Sequence, residues 1–397
     1  MMPAIDLSQR PVSLYVHVPF CASRCAYCDF HSSIPTDEER LRWILAVERH
    51  LDGLERIFRP AGYETLYIGG GTPSFLPVPQ LSRLLGRLLA GTGVPRTPIE
   101  ATMEANPEDI DSTLLSVLAD AGLNRISVGV QSLEDDARNC SRRRGNADST
   151  RARLETLASR WRGRLSADLI YGLPGQSVDG LARDIGYLAD LGFSHVSLYE
   201  LTLSDESPMA RAADVGEIAL PGEDERHERY VAAKETLRGR GYQRYEVSNW
   251  CKPGQECSHN QRYWRMGDWL ALGPSGSGNL RLDGGRFLRL DNPADDMLYA
   301  SDPLASCTIS TIETDDAMFE VLMMALRTSE GLGVEDFRKR FGVEPSDAFG
   351  EAVVRYPHLV SLREGRYVPS DEGMDLLNVV LVACLDALQG NKAGGHV

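Results

Sequence analysis

The chain has 397 residues, too many for one ordinary compact core and too few for several, so the natural expectation is one large domain with a smaller appendage. With 42% hydrophobic and 25% charged residues it has the composition of a soluble globular protein, which excludes broad disorder. Its 42 Lys and Arg against 57 Asp and Glu leave a formal charge of −15, which gives no general attraction to phosphate backbones and argues against nucleic acid as the main partner.

The opening stretch MMPAIDLSQRPVSLYV lacks the basic region and long apolar run of a secretory signal, and no later segment offers about 18 uninterrupted apolar residues. A cytoplasmic protein is expected, with peripheral contact to a membrane left open. Eight cysteines without an export signal read as thiols or metal ligands rather than as a disulfide framework.

Short β-rich runs recur at 13–18 (SLYVHV), 65–70 (TLYIGG), 99–105 (IEATMEA), 125–130 (RISVGV), 165–170 (LSADLI) and 195–201 (HVSLYEL). Helical patterning separates them, for example over 37–58, 78–90, 109–121 and 178–191. This alternation predicts an α/β fold with a parallel sheet, and six such units form either an open doubly wound sheet or an incomplete barrel. Gly69 to Thr72, Glu104, Gln131, Asp168 and Glu200 fall at or just past the C-terminal ends of the strands, where ligands bind in both architectures. Over 206–305 the pattern loosens into Gly/Pro-rich pieces such as KPGQEC and LGPSGSGN, expected to form a connecting region that closes over the site. From 306 to 390, the helix MFEVLMMALRTSEG, a short helix VEDFRKRFG, a hairpin LVSLREGRYVP and a last helix MDLLNVVLVACLDAL predict a winged-helix-like domain. The nearly balanced charge of VEDFRKRFG speaks against DNA binding there.

VHVPFCASRCAYCDF places Cys21, Cys25 and Cys28 at C-x3-C-x2-C directly after the first strand. Three thiolates on one short loop can bind three irons of a cubane and leave the fourth iron open to an outside ligand. The alternatives are zinc, with His17 or His31 as fourth ligand, and unligated buried thiols. With Tyr27 just before the last cysteine, the motif resembles that of the radical S-adenosylmethionine (SAM) superfamily. The resemblance implies a [4Fe–4S] cluster on these three cysteines, with SAM chelating the free iron through its amino and carboxylate groups. In that family the reduced cluster can cleave SAM to a 5′-deoxyadenosyl radical, the protein orienting and shielding the cofactor. It also implies a radical SAM partial (β/α)6 barrel, here over 11–205.

Further motifs follow in the family's order. GGGTPS puts Gly70, Gly71 and Thr72 where the family's glycine-rich segment approaches the SAM amino group, which glycine permits because it has no Cβ. EANP puts Glu104 toward the methionine or ribose, GVQS and DLIYGLPGQ offer Gln131 and Asp168 toward ribose and adenine, and Tyr15 on the first strand counts with these cofactor-facing residues. Arg143, twelve residues after Gln131, matches the arginine that pairs with the SAM carboxylate; it stands between Arg142 and Arg144, and Gly145 replaces the histidine usual in related sequences. Without the family, GGGTP is only a turn, Glu104 a solvated charge and SRRRGN a basic surface patch.

LYELT, YEVSNW, HNQRYW and LRTSEG extend the resemblance along nearly the whole chain, to the oxygen-independent coproporphyrinogen III oxidase-like branch and, within it, to the heme chaperones. The oxidases have a fourth cysteine two residues after the third, where this chain has Phe30, and an N-terminal extension for which Tyr15 and Cys21 lie too near the start. HNQRYW fits the HNxxYW pattern associated with heme in the chaperones. It offers His259 as an iron ligand or pocket former, and Tyr263 and Trp264 as faces for a porphyrin; on its own such a segment is more often an ordinary packed or surface element. Cys251 and Cys257 are expected as free thiols, with a C-x5-C-x-H zinc site as the alternative, and ALGPSGSG lacks the histidine of related sequences. The expected function is to bind heme and deliver it to an apo-hemoprotein, with cluster and SAM regulating or stabilising the protein. The alternatives are a radical SAM enzyme acting on a porphyrin or another substrate, and a catalytically silent, zinc- or cluster-stabilised interaction protein.

Overall fold

A computed structural model describes residues 5–89 and 98–394 of the chain. Its first half lays down strand and helix in turn: β1 (Pro11–Val18), α1 (Asp37–Phe58), β2 (Gly62–Gly70), α2 (Val78–Leu89), β3 (Glu100–Ala105), α3 (Ser112–Ala121), β4 (Arg125–Gln131), α4 (Asp135–Cys140), α5 (Ala147–Arg160), β5 (Arg164–Tyr171), α6 (Val178–Asp190) and β6 (His195–Glu200). The strands are dense in Val, Ile, Leu and Ala because both faces of a parallel sheet are covered. α1 begins where the Thr36 hydroxyl accepts from the Glu39 amide at 3.3 Å and the Glu39 carboxylate accepts from the Thr36 amide at 2.6 Å, a reciprocal cap worth about 1 kcal/mol. The helix expected over 109–121 starts later, because Pro107–Asp109 form a 3-10 turn and Asp111 caps α3 by accepting from the Leu114 amide at 2.8 Å. Of the helix expected over 78–90, residue 90 lies outside the described residues.

The middle of the chain contributes α7 (Pro208–Asp214), α8 (Glu223–Gly239), β7 (Gln243–Arg244), β8 (Asn249–Cys251), α9 (Ser258–Trp264), β9 (Trp269–Leu272), β10 (Ser277–Arg281), β11 (Phe287–Asp291), α10 (Asp296–Ser301) and β12 (Thr308–Ile312). All twelve strands form one sheet in the order β12-β11-β10-β9-β1-β2-β3-β4-β5-β6-β8-β7, parallel from β9 to β6 and antiparallel at both ends. Residues 206–305 therefore do not close over the site as expected. An open barrel has two edges with unpaired N–H and C=O groups, and β7–β8 and β9–β12 pair them. WLAL in β9 is buried at every position and lies parallel to β1, but no strand–helix repeat announces it, so its Gly/Pro-rich surroundings read as loop.

The sheet curls into a partial barrel: Gly70, Glu104, Asp168 and Tyr199 face one cavity although β3 and β6 stand three strand spacings apart, about 14 Å in a flat sheet. After β12 come α11 (Thr314–Ala325), β13 (Leu332–Gly333), α12 (Val334–Phe341), α13 (Pro345–Phe349), β14 (Val360–Arg363), β15 (Arg366–Pro369), α14 (Asp371–Asp375) and α15 (Leu377–Gly394), a winged-helix order with sheet β13-β15-β14. The core of this unit, with Leu322, Phe337, Phe349 and Leu381, also takes in Trp269 and Phe287 of the large sheet. Among the described residues no helix is long and apolar enough to cross a membrane.

Candidate functional site

At the C-terminal mouth of the barrel, a cavity of ≈ 360 Å³ is walled by the loop after β1 with Cys21, Cys25 and Cys28, by Gly70, Gly71 and Thr72 after β2, and by Glu104, Gln131, Arg143 and Asp168. Ten of the twelve site residues picked from the sequence thus meet in one place; Tyr15 and His259 do not line it. The glycines are there because the backbone needs them. A Cβ on Gly71 would lie 2.6 Å from the Phe20 carbonyl oxygen, and Gly70 adopts φ +107° with its missing side chain against the His17 ring. Cys21 Sγ lies 3.3 Å from Thr72 Oγ1, which ties the cysteine loop to the glycine segment.

Arg143 is the arginine of SRRRGN that turns inward. Its guanidinium donates to Cys25 Sγ (3.3 Å), to Asn106 Oδ1 (3.0 Å) and to the Gly129 carbonyl, whereas Arg144 pairs with Asp109 at 2.7 Å. Arg138, which sequence reasoning missed, holds this loop in place: fully buried, it donates to the carbonyls of Ser132 (3.0 Å) and Arg144 (2.6 Å) and pairs with Glu108 at 3.3 Å. Gly145 follows from that arrangement, since at φ +68° a Cβ would come 2.1 Å from Glu108 Oε1. Gln131 sits at φ +66° at a register shift in β4, an uncommon conformation for a residue other than glycine, and its buried Oε1 has no hydrogen-bond partner.

Two carboxylates stand opposite. Glu104 accepts from the Tyr67 hydroxyl (2.8 Å) and the Gly70 amide (3.1 Å); burial, reinforced by the charge of Asp168, pushes its pKa up to about 7. Asp168 accepts from Ser127 Oγ at 3.3 and 3.4 Å, and burial raises its pKa as well. An unpartnered carbonyl oxygen, an inward guanidinium and a glycine wall suit a ligand that carries an amine, a carboxylate and hydroxyls. The thiols suit an iron–sulfur cubane. Among the described residues no three His, Cys, Asp or Glu side chains are grouped to hold a single metal ion, and a cubane needs no such convergence, since each thiolate takes a different iron. His17 lies between the Tyr15 hydroxyl (3.1 Å) and the His31 carbonyl (3.1 Å), and His31 pairs with Asp296 at 2.8 Å, so neither histidine turns to the thiols as zinc would require. Cys251 and Cys257 are buried with pKa values pushed up to about 12 by burial, which keeps them as neutral thiols.

HNQRYW forms α9, which packs against the N-terminal ends of β2 and β3, beneath the cavity. The Glu100 carboxylate, also missed from sequence, caps the helix by accepting from the amides of Ser258 (3.2 Å) and His259 (3.0 Å). Thr65 donates to Ser13 (2.7 Å), which leaves it to accept from His259 Nδ1 (2.7 Å), and the Tyr263 hydroxyl satisfies Nε2 at 2.7 Å. Burial lowers the His259 pKa to about 3, so the ring is neutral, and both its nitrogens are engaged. Neither is free for heme iron. The ring stacks on Tyr67 at 5.1 Å, and Tyr67 reaches Glu104, so the motif supports the cavity floor from behind. Tyr15 stands in the same aromatic layer, 6.3 Å from Tyr67 and 6.5 Å from His259.

A curled parallel sheet with an inward three-cysteine loop, glycine segment and polar wall is the architecture of a radical SAM protein. Residues 15–188 match the radical SAM superfamily and residues 312–376 the HemN C-terminal domain. The fold superposes on Escherichia coli coproporphyrinogen III oxidase, HemN, a radical SAM enzyme, with TM-score 0.79 over 94% of this chain and 90% of that one, at 22% identity. In sequence the chain is 33% identical to the Mycobacterium tuberculosis heme chaperone HemW over 81% of this chain and 83% of that one. It is 31% identical to the Lactococcus lactis heme chaperone HemW over 94% and 97%. The chain belongs to the HemW-like branch of the radical SAM superfamily.

Proposed function

We propose that this protein binds heme and passes it to an apo-hemoprotein, with a [4Fe–4S] cluster on Cys21, Cys25 and Cys28 and SAM in the barrel cavity stabilising the heme-competent form. Similarity to proteins named heme chaperones across most of both chains carries this reading. Bound in the cavity, the cluster and SAM would supply one-electron reductive chemistry. The chain's own residues hold SAM: Arg143 toward its carboxylate, Gln131 and Asp168 toward ribose and adenine, and Glu104 and the Gly70–Gly71 backbone toward the methionine amine. Phe30, 64% exposed at the cavity rim, stands where the oxidase has its additional cysteine and offers no thiol, which speaks against coproporphyrinogen decarboxylation. His259 serves heme binding by anchoring α9, whose last residue is Trp264.

A second reading, a radical enzyme, is favoured by the buried Gln131 Oε1 and Arg143, polar groups whose burial is costly unless a cofactor uses them. One experiment separates the two: anaerobic reconstitution with iron, sulfide and SAM, heme titration of the same sample, and assays for 5′-deoxyadenosine and for protoporphyrinogen IX from coproporphyrinogen III. Stable heme uptake without either product is the expected result. Protoporphyrinogen IX formation would overturn it.

A further inference from the structure

A second cavity, of ≈ 850 Å³, shares no residue with the cofactor cavity. It is a cleft between the β10–β11 end of the sheet and the winged-helix unit, floored by the end of α9. Eight Arg and Lys side chains against three carboxylates line it, in a chain whose net charge is −15. Six of the eight have a carboxylate partner, Arg262 with Glu64 and Lys339 with Glu335 among them, which confines the unneutralised charge among the described residues to two arginines.

Asp268, 1% exposed, is shared between Arg281 (2.8 Å) and Arg10 (3.3 Å). Arg340 has no ion pair among the described residues; its buried Nη1 has no hydrogen-bond partner, and its guanidinium lies 5.7 Å from the centre of the Phe287 ring. Burial, with the nearby charge of Arg281, brings the Arg340 pKa down to about 10. Nearer the surface, Arg286 donates to the Asp283 carbonyl at 3.4 Å and has no ion pair among the described residues. Trp264 lines one wall, and its buried Nε1 has no hydrogen-bond partner either, while Phe287, Phe337 and Leu332 lie buried behind the polar lining. The volume lies within the range of about 300–1,000 Å³ common for small-molecule sites.

We propose that this cleft is the heme site, with Arg340 and Arg286 holding the two propionates while Trp264 flanks the macrocycle. The proposal rests on the heme-chaperone reading above. Among the described residues no His, Cys, Met or Tyr lines the cleft, so these side chains offer the iron none of the usual axial ligands, and a recipient protein has no strong protein–iron bond to break. The same α9 that is pinned beneath the barrel by His259 delivers Trp264 and Arg262 to this cleft, which connects the HNQRYW motif to heme without an iron–imidazole bond.

The test uses the full, cluster-loaded chain and three probes: iron protoporphyrin IX, its dimethyl ester, and a duplex oligonucleotide. Arg340→Gln and Arg286→Glu each remove a cation without an ion pair, so both variants should fold and keep wild-type iron and sulfide content. Each should weaken binding of iron protoporphyrin IX about tenfold or more. The dimethyl ester should bind the wild type more weakly and lose nothing further in the variants. Wild-type heme affinity in both variants would place heme elsewhere and overturn this site while leaving the chaperone reading intact. A wild-type chain that takes up no heme would sink both. Oligonucleotide binding that the variants lose, with heme affinity unchanged, would assign the cleft to phosphate backbones instead.

Discussion

Replacing His259 by Ala removes a buried imidazole that makes two side-chain hydrogen bonds of 2.7 Å and stacks on Tyr67. The Thr65 and Tyr263 hydroxyls each lose a partner in a buried layer, at about 1 kcal/mol apiece, and the vacated volume adds about 1–2 kcal/mol as a cavity. The sum of about 3–4 kcal/mol corresponds to a fall of roughly 5 °C or more in the unfolding midpoint. His259→Gln, which keeps a donor and an acceptor, should recover part of it. Because burial lowers the folded His259 pKa from 6.5 to about 3, at pH 6 the unfolded wild type binds protons that the folded one does not, so the loss should be about 1 kcal/mol smaller at pH 6 than at pH 8. Heme affinity should fall with the loosened α9, but the absorption maxima of the heme that still binds should match wild type, and iron and sulfide content should be unaffected. Calorimetric melts read the first effect and a heme titration the second. An unchanged midpoint together with shifted heme bands would refute the reasoning, since it would make His259 an iron ligand and not an anchor.

Cys21→Ala, Cys25→Ala or Cys28→Ala should each abolish the four iron and four sulfide per chain that a reconstituted cubane holds, whereas Cys251→Ala and Cys257→Ala should leave them in place; tight zinc and no sulfide in the wild type would contradict this. Glu104 has its folded pKa raised from 4.5 to about 7, so between those values the folded state holds more protons than the unfolded one and stability falls as pH rises, by up to about 3 kcal/mol. Glu104→Gln should flatten that part of the apoprotein's stability curve and be more stable than wild type at pH 8; a denaturation series from pH 4.5 to 8 with identical slopes for the two proteins would exclude it.

The parallel core was legible because strand and helix leave different periodicities, and six repeats of the pair admit few arrangements. The local sequence C-x3-C-x2-C places three thiols on one loop whatever surrounds it, and strand-end residues such as Glu104, Gln131 and Asp168 must share a face once the sheet is parallel. What lay outside the sequence's reach depends on contacts between distant segments. Nothing local marks Arg138 as the partner of Glu108 thirty positions earlier, or Glu100 as the cap of a helix some 160 positions later. Nor does HNQRYW reveal whether its histidine faces a ligand or the barrel interior: the residue types are the same in both cases, and only Thr65, Tyr67 and Tyr263 closing around the ring decide it. The basic cleft shows the same division, for its cations are scattered from Arg10 to Arg366 in an acidic chain, and they converge only because the winged-helix unit packs on β10 and β11. Local pattern fixes what short-range sterics and hydrogen bonding require, while the direction a polar side chain takes is set by which distant surface desolvates it.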